Sequence, residues 1–387
     1  MGSFLHLSLK GGRLWPRLHF GDRWHPFRVN KVLKGVPSVA RKTVLGLDIG
    51  SSSVKITQLK PTKRGYQLLN FGYMQLPQEA IVDGSIMNGS AVVDAIREVL
   101  ASKKIKQKNT AVSVSGHSVI LKKISLPVMT HDELEESIHW EAEQYIPFDI
   151  NDVHLDVAIL NEHNEQGQMD VLLVAAKKDM IQEYTNVVEE AGLKPMVVDV
   201  DSFALQNAFE VNYDIPMGET VALVNVGASV VNINCLHSRV SAFTRDISQG
   251  GHYYTEEIQK QLNVSYEEAE ALKMGGLNEV DAVVPQEVER VMRDVSESIA
   301  NDVQRSLDFF AATSATANIR KIYVAGGCAH VPALSRSIEE KTGVSVGILN
   351  PFEQLDLSKI EDEKLIRSFA PAATVSVGLA LRSPDDR

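Results

Sequence analysis

A ten-residue pattern occurs twice in this chain. Leu47–Ile56 (LDIGSSSVKI) lies over Val224–Ile233 (VNVGASVVNI) at a constant offset of 177 residues, with Gly, Ser, Val and Ile identical at four positions and apolar character kept at two more. Each copy reads as a short buried strand with a polar residue near its end, a glycine followed by small residues, and a second strand. The constant offset sets one such hairpin in each half of the chain.

That order of residues suits an anion. A tight glycine turn between strands exposes successive backbone N–H groups, and small neighbours let a phosphate approach them. Two such hairpins facing each other would clasp the tail of a nucleotide from both sides. Gly50, Ser51, Ser52 and Ser53 would form one loop; Gly227, Ala228 and Ser229, preceded by Asn225, would form the other. Asp48 would face Mg2+, through water because this ion sheds its hydration shell reluctantly. Lys55 would offset phosphate charge. The alternative is a pair of ordinary hairpins, with Asp48 capping its own turn.

A third element is Tyr323–Pro332, where Gly326 and Gly327 follow a strand and precede a helix. Backbone without side chains lets a flat base lie against it, although a strand followed by Gly-Gly is common. There is no GxxxxGK[ST] and no GxGxxG, so P-loop and dinucleotide-fold readings lose their main support.

Composition narrows the class further. With 387 residues, 44% of them hydrophobic and 23% charged, the chain has room for two to four domains of ~100–200 residues and is not disordered throughout. The net charge of −11 argues against a protein that coats nucleic acid. The charge is unevenly spread. Residues 1–43 hold nine basic residues and one acid, and the remainder carries −19. We expect that leader to be an extension outside the fold, disordered or not native, with a basic tether for anionic lipid as the sharper alternative. No secretory signal and no run of about 18 apolar residues is present, so a cytoplasmic protein is expected. The two cysteines, Cys235 and Cys328, lack metal-ligand or CxxC spacing and read as buried reduced thiols.

Along the chain, strands are expected at 44–50, 54–59, 66–76 and 109–114, with a helix over 91–100. A split βαβ module is expected over 119–201, its first helix opened by the capping box of Thr130 and Glu133 and ending near Ile146. Val221–Ile233 starts the second half, and Ser265 to Glu268 is a second capping box. A long helix is expected over 285–317, with Val288, Val291, Val295, Ile299, Val303, Leu307 and Phe310 at spacings of three and four. A strand at 321–325 and a helix at 372–381 close the chain.

Taken together, the two loops and the Gly-Gly turn resemble the actin-like ATPase superfamily. Within it, the chain is similar to the PilM family of type IV pilus assembly proteins, which look like the cell-division protein FtsA. The resemblance covers about Val44 to Arg382. It is most specific at Leu45–Lys55, Trp140–Asp149, Gln168–Lys177, Val197–Asp201, Glu257–Leu262 and Glu268–Lys273. It implies an α/β actin-like ATPase fold, two duplicated lobes around a nucleotide cleft with an FtsA-like inserted subdomain. The first lobe would comprise 44–118 and 202–217, the insert 119–201, the second lobe 218–250 and 318–382, and its helical subdomain 251–317. ATP with Mg2+ would lie between the lobes, with Glu257 and Lys260 joining Gly326 and Gly327 around it.

The same resemblance implies a partner. The family docks the short N-terminal cytoplasmic tail of the inner-membrane protein PilN, and through it PilO and the motor ATPases that drive twitching motility. Membrane association would be peripheral and come through that partner. The tail would lie between the insert and the first lobe, with Tyr145, Ile146, Pro147 and Phe148 as its rim; locally, those four residues read equally well as a helix stop with buried aromatics.

Two departures bear on catalysis. Asn225 stands where strongly hydrolysing relatives carry Asp, and it supplies no negative charge. No general base is evident; Gln206 is the nearest candidate and a weak one. Slow or negligible hydrolysis is therefore expected. The alternatives are a small-molecule kinase of the same fold, for which Asp83, Asp199 and Asp201 are the available carboxylates, and an FtsA-like polymerising protein.

Overall fold

In the computed structural model, residues 42–278, 286–314 and 318–384 are described. Residues 1–41 of the basic leader, Pro285 and the last three residues of the expected long helix lie outside them.

The first lobe grows from the first repeat. Strand β1 (Leu45–Ile49) pairs antiparallel with β2 (Ser53–Thr62), which pairs with β3 (Gly65–Gln75). A small hairpin, β4 (Ile81–Val82) and β5 (Ser85–Ile86), leads to α1 (Gly89–Ser102). Asn88 caps α1 by accepting the N–H of Ala91, and Val92, Ile96 and Val99 face the core at helical spacing. Strand β6 (Asn109–Val114) lies parallel to β1.

The chain then leaves this sheet. Strand β7 (Val119–Leu126), α2 (His131–Ala142), β8 (Val153–Asn161) and β9 (Met169–Lys177) form a three-stranded antiparallel sheet, ordered β7-β9-β8, with one helix. The expected capping box is present: Thr130 Oγ1 accepts the N–H of Glu133, and Glu133 accepts the N–H of Thr130. Strand β9 is buried on both faces. Val171, Leu173 and Ala175 pack with α2, while Leu172, Val174 and Ala176 face the first-lobe core.

The module is shorter than expected. Helix α3 (Lys178–Glu190) and strand β10 (Lys194–Val200), assigned to the insert from sequence, belong to the first lobe. Met180, Ile181, Tyr184, Val187 and Val188 of α3 pack with Val92 and Ile96 of α1, and β10 lies parallel to β6. A βαβ crossover places its second strand beside a parallel partner. The free edge of β6 offers that, and the inserted antiparallel sheet does not. The first sheet is thus ordered β10-β6-β1-β2-β3.

Helix α4 (Asp201–Asn212) carries the chain across to the second repeat. Strands β11 (Thr220–Val226), β12 (Val231–His237) and β13 (Val240–Ile247) form an antiparallel meander. Helices α5 (Gly251–Leu262), α6 (Tyr266–Asn278) and α7 (Gln286–Thr313) follow, then β14 (Ile319–Ala325), α8 (Pro332–Thr342) and β15 (Val346–Ile348). The capping box at Ser265 and Glu268 opens α6. All seven apolar residues singled out along the long helix are buried on α7, each worth about 1.5–3 kcal/mol of removed apolar surface. The second sheet, β13-β12-β11-β14-β15, repeats the first strand for strand, including which neighbours are parallel.

Helix α9 (Glu363–Ser368) and helix α10 (Thr374–Ala380) end the described fold. Sequence placed residues up to 382 in the second lobe, yet α10 packs on β1, β2 and α4 of the first. Two glycines permit this. A Cβ on Gly46 would lie 1.9 Å from the Ser376 carbonyl oxygen, and one on Gly378 would lie 1.7 Å from that of Ala204. The buried Thr57 and Ser376 hydroxyls meet at 2.8 Å in the same seam.

Candidate functional site

The two repeats fold in the same register. Asp48 stands opposite Lys55 across β1–β2, and Asn225 stands opposite Asn232 across β11–β12, so the offset of 177 residues holds on both strands of each hairpin. The turns match as well: Gly50 donates its N–H to Ser53 O at 3.0 Å, and Gly227 donates to Val230 O at 3.0 Å. Between these anchors, the N–H groups of Ser51 and Ser52 in one turn, and of Ala228 and Ser229 in the other, stand outside the strand ladders.

Around the first turn the structure collects charge. Lys55 Nζ lies 3.1 Å from Asp48 Oδ2, and both side chains are largely buried (12% and 13% exposed). Asp201, at the first position of α4, lies close enough to feel Asp48. Burial and then the charge of Asp48 push its carboxyl up to about 6, against the hydroxyls of Ser113 and Ser115. Ser113 Oγ donates to it at 2.6 Å. Sequence named Asp201 only as one of three carboxylates available to a kinase, because its partners come from β1 and β6, more than eighty residues away.

Around the second turn it collects backbone. Gly251 and His252 donate their N–H groups to the carbonyls of Gly227 and Ala228 at 2.9 and 2.8 Å. A Cβ on Gly250 would lie 2.6 Å from Gly227 O. Gly326, at φ +90°, has room for none either: its Cβ would lie 2.3 Å from Val226 O and 2.8 Å from Asn225 Oδ1. The turn, the start of α5 and the Gly326 turn therefore meet backbone to backbone. Gly250 and Gly251 were missed, although the same signal, Gly-Gly between strand and helix, had marked Gly326 and Gly327. Ser229 Oγ reaches His252 Nδ1 at 3.3 Å.

Glu257 and Lys260 pair with each other at 2.6 Å on α5, and Glu257 lines a small groove against Val291, Asp294 and Val295 of α7. Gln206 is buried and donates to Glu210 and to Arg239 O, which engages its amide nitrogen. Asp199 is fully buried in a 3.1 Å ion pair with Arg382, and Asp83 is exposed at a hairpin with φ +49°. Cys235 and Cys328 are buried free thiols, raised by burial to about 12 and about 11.

Of the expected partner rim, Ile146 is in the module core, and Tyr145 and Phe148 are half-buried under the Lys122 and Lys177 ammonium groups at 5.0 and 4.6 Å. Only Pro147 is exposed. A different surface faces the first lobe: His154, Asp156 and Ala158 of β8 stand on the side of Val174 and Ala176, and Ala158 and Leu160 are half-buried against the first-lobe core. Burial and the nearby Lys178 hold His154 below its ordinary pKa.

Among the described residues, no group of three His, Cys, Asp or Glu side chains forms a metal cage. Mg2+ needs no such cage, since it takes one or two protein oxygens and fills its shell with phosphate and water. Asp48 and Asp201 are such oxygens, so the donor set fits the ion. No helix among the described residues is long and apolar enough to cross a membrane.

Comparison with known proteins agrees with the fold. The family model described as "Type IV pilus assembly protein PilM" matches residues 46–384. In a solved PilM-PilN type IV pilus biogenesis complex, one chain is 26% identical, superposes with a TM-score of 0.79, and is matched over 98% of its length by 88% of this chain. The ethanolamine utilization protein EutJ from Carboxydothermus hydrogenoformans shares the fold at 15% identity and a TM-score of 0.54, covering 89% of this chain and 90% of that one. Cell division protein FtsA of Streptococcus pneumoniae serotype 2 (strain D39 / NCTC 7466) is 23% identical over 253 residues. That match takes in 59% of this chain and spans about half, 54%, of the pneumococcal protein. FtsA of Enterococcus hirae is 23% identical over 354 residues, 79% of this chain and 78% of its own length. The architecture is the actin-like ATPase fold.

Proposed function

The chain belongs to the PilM family of type IV pilus assembly proteins, and on that premise we propose that it is an ATP-binding adaptor of the pilus assembly platform. The observation that carries the nucleotide reading is the shared register of the two hairpins, which puts Asp48 and Asn225 at equivalent points beside two glycine turns. In this reading Gly50–Ser53 and Gly227–Ser229 hold phosphate oxygens, Asp48 holds hydrated Mg2+, and Gly326 and Gly327 flank the base. Mg2+ when bound neutralises phosphate charge. Lys55 then exchanges Asp48 for phosphate.

Hydrolysis is slow in this reading. Asn225 brings no negative charge to hold Mg2+ or orient water. The adaptor holds the N-terminal cytoplasmic tail of PilN in the groove between β8 and the first lobe, and through it reaches PilO and the motor ATPases of twitching motility. The support for this partner is the 26% identity to a chain solved in a PilM-PilN complex. The chain would then sit on the cytoplasmic side of the inner membrane, held there by its partner.

The test is titration with a fluorescent ATP analogue, with and without Mg2+, followed by a synthetic peptide of the partner tail. Mg2+-dependent binding lost in Asp48→Ala supports the reading. Multiple turnover near 1 per second or faster, abolished by the same change, would overturn the expectation of slow hydrolysis.

A further inference from the structure

Three side chains stand in a row across the second sheet. Asn225 on β11 donates from Nδ2 to Asn232 Oδ1 on β12 at 2.9 Å. Asn232 donates from Nδ2 to Asp246 Oδ1 on β13 at 2.9 Å. The other oxygen of Asp246 accepts the N–H of Gly116 at 2.7 Å, from the loop where the first lobe gives way to the inserted module. In the first sheet the same row begins with the ion pair of Asp48 and Lys55. The second lobe has kept a carboxylate in the row but carries it two strands further out.

The order of donors follows from that carboxylate. An ionised Asp only accepts, so Asn232 turns its amide nitrogen toward Asp246 and its oxygen toward Asn225. Asn225 must then turn its own nitrogen toward Asn232. Its oxygen is left on the Gly326 side of the site. An asparagine free to rotate presents donor and acceptor alike; this one is locked as an acceptor.

We propose that Asp246 is a positioning residue for the nucleotide site: it fixes Asn225 as a hydrogen-bond acceptor, a neutral substitute for a carboxylate beside hydrated Mg2+, and ties that orientation to lobe closure through Gly116. The proposal rests on the nucleotide reading above. It explains how a neutral amide serves at this point, and it makes an unusual demand on mutagenesis.

Asp246→Asn keeps every bond in the row but reverses its sense. The new amide donates to Asn232 and accepts from Gly116, Asn232 turns over, and Asn225 presents its nitrogen to the site. The protein is expected to melt at the wild-type temperature yet bind a Mg2+–ATP analogue roughly tenfold more weakly. Asn225→Asp alone sets two acceptors face to face and is also expected to weaken binding. The double variant Asn225→Asp with Asp246→Asn satisfies every bond with the acceptor restored, and its affinity is expected within about threefold of wild type. A purely structural role for Asp246 predicts neither the loss in Asp246→Asn nor the rescue. Wild-type affinity in Asp246→Asn, or a double variant no better than either single one, overturns the proposal.

Amide exchange at Gly116 separates this proposal from the nucleotide reading. Exchange should be slow in the wild type and in Asp246→Asn, and at least about tenfold faster in Asp246→Ala, with no nucleotide present. If the wild type binds no ATP analogue at any Mg2+ concentration, the nucleotide reading falls. Equal exchange in Asp246→Ala and wild type shows instead that the tie between the lobes does not exist.

Discussion

Asp48 stands near enough to Asp201 that its charge, after burial, pushes the Asp201 carboxyl up to about 6. Asp201 titrates near pH 6 in the folded chain against an ordinary value of 3.8. A carboxyl raised on folding stabilises the fold while protonated, and that contribution is lost as pH rises through its folded value. Stability should therefore decline between about pH 4 and pH 6 from this group. Asp201→Asn should remove that slope and gain on the order of 1–3 kcal/mol at pH 7, read by urea unfolding across pH. An unchanged slope in the variant would count against a raised Asp201 carboxyl.

Removing the neighbouring charge should act on the same titration. In Asp48→Asn the Asp201 carboxyl should titrate lower, because the nearby negative charge is gone while burial remains. Carboxyl carbon shifts followed by NMR would report it. A value that stays near 6 would mean that burial alone sets it.

Packing requires the two glycines in the seam under α10 and does not require Gly275. Gly46→Ala and Gly378→Ala drive a methyl into backbone at 1.9 and 1.7 Å and should each cost about 3 kcal/mol or more, since backbone cannot step aside as a side-chain tip can. Gly275, inside α6, has nothing within 4 Å of its Cβ position. Gly275→Ala should be neutral to stabilising by up to about 1 kcal/mol. Thermal melts of the three variants would rank them.

Asp199 and Arg382 form the charged anchor of the same region. Arg382→Met leaves a fully buried carboxylate without its ion pair and should cost about 3–5 kcal/mol. Asp199→Leu combined with Arg382→Met should cost much less, because no charge is left stranded. A double-mutant cycle in chemical denaturation measures the difference.

Much of this was legible in residues close in sequence. The hairpin repeat, both capping boxes and the apolar stripe of α7 are local patterns, and each was found where expected. What escaped depends on contacts between distant segments. Whether β10 joined the insert or the first sheet turned on the free edge of β6, which no local pattern reveals. The same holds for Asp201, an unremarkable strand-end acid until Ser113 and Asp48 surround it, and for Gln206, which looked available and is engaged with Arg239 O. Gly50 and Gly227 were readable from the repeat, and Gly326 and Gly327 as a pair after a strand, a signal that applied equally to Gly250 and Gly251.

The placement of α10 has a consequence for biosynthesis. Val44, Ala111, Val197 and Ala204 of the first lobe share their cluster with Val375 and Leu379. A ribosome releases the first four long before the last two exist. The first lobe must wait, partly uncovered, through the synthesis of the entire second lobe, and only the arrival of Thr374–Ala380 closes it. Truncations that stop short of α10 should thus damage the half of the molecule made first.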